Sequence, residues 1–131
     1  MTSDNVQTSS MRVYSNAWVS KEAGDLLGYE LAVKESGDGK LDALLYVYEG
    51  APDDGILLPG RINGKHVTIE GDWIEHQVEY PSKKEIIQTH LVRIEGALDL
   101  TSFHGRLTIK DLSVDSDLKL RRVQHIWFCK P

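Results

Sequence analysis

Apolar and polar side chains alternate along most of this chain, and that period of two sets what it can fold into. Met11, Val13, Ser15, Ala17 and Val19 alternate with Arg12, Tyr14, Asn16 and Trp18. Leu27, Tyr29, Leu31 and Val33 then alternate with Gly28, Glu30, Ala32 and Lys34. Such spacing places every second side chain on one face of an extended strand. No stretch of a dozen residues shows the helical period instead. The best helical candidate, Val19 to Leu27, is short and contains Gly24.

Turn signals separate the alternating runs. Ser36-Gly37-Asp38-Gly39 and Asn63-Gly64 read as hairpin turns, because both need residues that tolerate positive φ. Gly50 to Gly55, with Pro52, Asp53 and Asp54, is a break, and Pro81-Ser82-Lys83-Lys84 turns the chain again. Between these lie Leu41 to Tyr48, Ile56 to Ile62, a strand from His66 through Tyr80 with a bulge expected at Gly71-Asp72, and Glu85 to Glu95. Gly96 punctuates, and Ala97 to Phe103 runs on to Gly105. A kink is expected near Asp111, and Leu118 to Cys129 forms a last strand. The predicted fold class is all-β: an antiparallel up-and-down meander of about eight to ten strands closed into a barrel, since closure removes exposed edges. A β-sandwich is the alternative, but it needs longer crossovers than the turns supply. Residues 1–10 read as a mobile tail and 11–131 as a single barrel domain.

Trp18 near the end of the first strand and Arg121 or Arg122 at the start of the last form a suggestive pair of ends. With the segment Gly24-Asp25-Leu26-Leu27-Gly28-Tyr29-Glu30-Leu31 and the later Glu49-Gly50-Ala51-Pro52, the chain resembles the calycins, in particular small bacterial lipocalin-like proteins. That resemblance implies a barrel in which Trp18 packs against the arginine. The glycine usual two residues before the tryptophan is Asn16 here. The resemblance implies no particular ligand, because fold alone does not set function.

Composition excludes several classes. With 15 basic and 20 acidic side chains, the net charge is -5, and the paired Lys83-Lys84 and Arg121-Arg122 make no basic stripe, so no nucleic-acid partner is expected. No apolar run is long enough to span a membrane, and the polar MTSDNVQTSS start is not a secretory signal, so a cytoplasmic location is expected. The single Cys129 reads as a buried thiol. The five histidines lack metal-ligand spacing, so no metal or other cofactor is expected. No nucleophile motif or phosphate-cradling loop is present.

Four residues stand out as candidate ligand contacts. On one face of Glu85 to Glu95 stand Ile86, Gln88, His90, Val92 and Ile94, so an inward face would carry Gln88 and His90 into an apolar interior. The opposite choice, with Ile87, Thr89 and Leu91 inward, leaves His90 in solvent. Leu41 to Tyr48 is apolar on both faces: Leu41, Ala43, Leu45 and Val47 on one, Leu44, Tyr46 and Tyr48 on the other. Tyr46 and Tyr48 are ligand donors if inward and an oligomer or partner interface if outward, and the plainer reading has them half buried at the core edge. Three functions follow: a non-catalytic binding protein for a small apolar or mixed ligand; an interaction or inhibitor module using Tyr46, Tyr48 or the Asp53-Asp54 loop; or an enzyme with a mouth acid or base such as His90 or His104. Paired carboxylates such as Glu70 and Glu79 are a further possibility for acid–base chemistry.

Overall fold

The computed structural model describes residues 11–50 and 54–126. Among the described residues nine strands are formed: β1 (Arg12–Ser15), β2 (Trp18–Val19), β3 (Leu26–Gly37), β4 (Lys40–Gly50), β5 (Ile56–Asn63), β6 (His66–Glu79), β7 (Lys84–Leu98), β8 (Ser102–Ile109) and β9 (Val114–Val123). Each pairs antiparallel with its sequence neighbour from β3 onward, and β1 joins both β9 and β3. The result is a closed eight-stranded antiparallel barrel, with β2 as an extra strand beside β3. No α-helix occurs among the described residues.

The turns fall where positive φ is tolerated. Asp38 (φ 56) and Gly39 (φ 73) reverse β3 into β4, and Gly64 (φ 62) reverses β5 into β6. The kink near Asp111 is a 3-10 turn, Lys110–Leu112, released by Ser113 in the left-handed region. The expected first strand breaks in two at Asn16, whose Oδ1 accepts the Tyr29 N–H at 2.7 Å while its own N–H donates to the Tyr29 carbonyl at 3.1 Å. Asn16 lies over Gly28 (φ +107), where any Cβ would strike the Asn16 side chain. Trp18 therefore sits on β2, 55% exposed, and does not meet an arginine. The Arg122 guanidinium lies instead 5.9 Å over the ring of Tyr14, its register partner on β1.

Gly71-Asp72 makes no bulge, for β6 and β7 stay in register from His66↔Ala97 to Glu79↔Lys84. Gly71 marks a departure instead. β5 accompanies β6 only as far as Ile69, and β8 accompanies β7 only from Arg93 onward. Beyond that point β6 and β7 run on as a two-stranded arm that turns at Pro81. Gly96 does not interrupt β7. It faces Gly105 across the β7–β8 ladder, and the Phe103 ring lies against both, so a Cβ on either would strike backbone and ring.

Inward rows of Leu, Ile and Val fill the barrel from the end opposite the arm. Tyr14, Leu31, Leu45, Ile69, Ile94, Phe103 and Leu118 are fully buried there. The Tyr14 hydroxyl donates to the Asp99 carbonyl at 2.6 Å, which ties β1 to the β7–β8 connection. Residues 1–10, the Asp53 half of the acidic loop, and Trp127, Phe128 and Cys129 lie outside the described residues.

Candidate functional site

The filling stops short of the arm end. Inward positions of β3, β4, β5, β6, β8 and β9 there enclose a cavity of about 440 Å³. Its wall is apolar and aromatic: Tyr29, Val47, Ile56, Trp73, Leu107, Ile109, Leu112 and Val114. Two carboxylates, Glu49 and Glu75, complete the lining. Each continues a core row. Leu41, Ala43, Leu45 and Val47 on β4 are followed two residues on by Glu49, and Val67, Ile69 and Trp73 on β6 by Glu75. A groove of about 480 Å³ between Lys40–Asp42 and Pro59–Arg61 is flanked by Ser36, Thr68 and Glu70, and it is more open to solvent than the mouth cavity.

His90 stands beside this cavity. It is 3% exposed, its ring centroid lies 5.1 Å from that of Trp73, and both nitrogens face carboxylates. Nδ1 lies 2.5 Å from Asp111 Oδ2 on the 3-10 turn, and Nε2 lies 3.1 Å from Glu75 Oε1 on β6. The Asp111 and Glu75 hydrogen bonds raise the His90 pKa above its ordinary 6.5, against the opposing effect of burial. The ring, with a carboxylate at each nitrogen, thus clasps the arm root to the β8–β9 connection. The two carboxylates address opposite sides of the ring, so the three side chains do not converge on a point where a cation would sit. No metal-ligating cluster is present among the described residues.

Of the four residues singled out from the sequence, His90 alone faces the interior beside the cavity. Gln88 shares its row but lies two positions further along the arm, past the neighbouring strands, and is exposed. Tyr46 and Tyr48 point to the outer face of β4, not into the barrel. They are already buried there with Leu26, packed by Ala17, Leu44 and Ile126, so they offer no open interface. Their rings stack at 6.2 Å, and the Tyr48 hydroxyl donates to the fully buried Glu30 at 2.6 Å. The other acid–base candidates fall elsewhere. His104 is exposed on the outer face of β8, paired with Ala97 and Lys119 toward the filled end. Glu70 and Glu79 stand on the same strand, roughly 30 Å apart at strand rise, with Glu70 paired to Arg93 at 2.9 Å.

Glu49, Glu75 and Glu30 were not singled out from the sequence. Extending the β4 row by one more alternate position finds Glu49; Glu75 follows Trp73 in the same way. Glu30 sits on the outward row Leu26, Gly28, Glu30, Ala32, where nothing local reveals that the face is covered. Comparisons with family models, with curated proteins and with solved structures find no match for this chain. The molecule is thus an eight-stranded antiparallel barrel with a part-hollow interior, compatible with a lipocalin-like fold.

Proposed function

We propose that this protein is a non-catalytic binding protein of lipocalin-like type, which holds a small, largely apolar molecule in the barrel mouth. The observation that carries the reading is the unfilled end of the barrel. Its volume of about 440 Å³ falls in the range of drug-sized ligand sites, and its few polar groups sit at the rim of an apolar wall. A hollow of this kind forgoes packing that the other end obtains, and a guest would restore those contacts. His90 is engaged at both nitrogens and serves to position the mouth.

The test is fluorescence titration with the neutral probe 1-aminoanthracene. The wild-type protein is expected to bind it with a blue-shifted, enhanced emission. Val47→Trp, which fills the cavity from within, is expected to abolish binding while the circular dichroism of the barrel persists. Absence of binding, or equal binding by the filled variant, would overturn the reading.

A further inference from the structure

We infer that the molecule taken by the mouth cavity is a cationic amphiphile: an apolar body carrying an amine or ammonium head. The inference rests on the cavity being a ligand site, and it follows from the charges around that site. The lining holds two carboxylates, Glu49 and Glu75, and no cationic side chain among the described residues. The basic residues of this end are directed elsewhere. Lys110 lines a separate outer groove with Leu91, Arg93 and Thr108, and Lys21 is exposed on the β2–β3 connection. Asp25 approaches Gly50 beside Glu49, Asp54 lies on the β4–β5 connection, and Asp111 is on the 3-10 turn, all at the same end. His90 lies outside the lining with both nitrogens committed to Asp111 and Glu75, so an anionic head would meet the Glu49 carboxylate with no free cation among the lining residues, and a neutral one would leave Glu49 unused.

Two features favour a cation specifically. The Trp73 and Tyr29 rings form part of the wall, and aromatic faces attract cations. The rim carboxylates differ in availability. Glu75 accepts from His90, whereas Glu49 enters no ion pair among the described residues. Glu49 is then the principal anchor for the head, with the chain running down between Val47, Ile56 and Leu107.

The experiment is displacement of 1-aminoanthracene at neutral pH by three molecules of one chain length: octylammonium, octanol and octanoate. Octylammonium is expected to bind roughly tenfold more tightly than octanol, with octanoate weakest, and the advantage should shrink at high salt. Glu49→Gln should bring octylammonium close to octanol, and Glu49→Lys should move the preference toward octanoate. Equal affinities for octylammonium and octanol, or a preference of the wild type for octanoate, overturn the cationic class and leave the cavity standing as a site. If neither the probe nor any of the three binds, the cavity reading fails and this inference with it.

Discussion

With a proton on each nitrogen, the His90 ring donates to Asp111 and to Glu75. Remove one proton, and one of these contacts sets a nitrogen lone pair against a carboxylate oxygen. The raised pKa fixes the direction of the consequence. Stabilisation from the charged ring is complete below the unfolded value near 6.5 and is lost as pH rises through the higher folded value. NMR titration of the His90 ring should show a midpoint above 6.5; a midpoint at or below it would contradict the clasp. The wild-type advantage over His90→Gln in urea unfolding should narrow as the pH is raised through that midpoint. Glu75 and Asp111 are the charged groups that face the ring, from β6 and from the 3-10 turn, so the titration reports on their contact.

Among the elements, the β6–β7 arm differs most from its surroundings. Ile74, Val78, Ile87 and Leu91 lie exposed on its outer face, and Tyr80 is 75% exposed at its tip. A two-stranded ribbon has little to hold it in water, and here only the root is fixed, by Trp73 and the His90 clasp. Amide hydrogen exchange should therefore be faster across residues 74–79 and 84–89 than across 92–98 of the same strand pair, and His90→Gln should quicken the arm further. Uniform protection along β7 would show the arm to be supported in some other way. The arm also marks where the sequence stops being informative. Asp38-Gly39 and Asn63-Gly64 are legible because a turn imposes its φ locally. His90 is half legible, because its row continues into Val92 and Ile94 while the opposite row, Ile87, Thr89 and Leu91, is also largely apolar. Gln88 is not, for it continues the same row, and only the lengths of β5 and β8 decide where the row leaves the barrel. Tyr46 and Tyr48 are ambiguous because β4 is apolar on both faces. Glu49 and Glu75 look like solvent residues until the strand registers bring their rows to one rim.

For the whole molecule, the contrast is between a filled end and a hollow one. The filled end contains the Phe103 ring, laid over Gly96 and Gly105, and the Tyr14 hydroxyl bond to the Asp99 carbonyl. Truncations there leave cavities that close-packed neighbours cannot collapse into. Phe103→Ala should cost about 3–5 kcal/mol, whereas Val114→Ala on the cavity wall should cost no more than about 1.5 kcal/mol, measured by urea denaturation. Comparable losses at both sites would mean that the mouth is as tightly knit as the base. Charge follows the same axis: Glu49, Asp54, Glu75 and Asp111 gather at the mouth, while Arg12, Arg61, Lys65, Arg121 and Arg122 stand toward the opposite end.

The ring of strands is shut by β1, paired to both β3 and β9 and tied by Tyr14 to the Asp99 carbonyl, without help from the rim. Side chains around the opening are consequently free to be exchanged, and the same frame can be re-cut to admit a different guest while the plug beneath stays as it is.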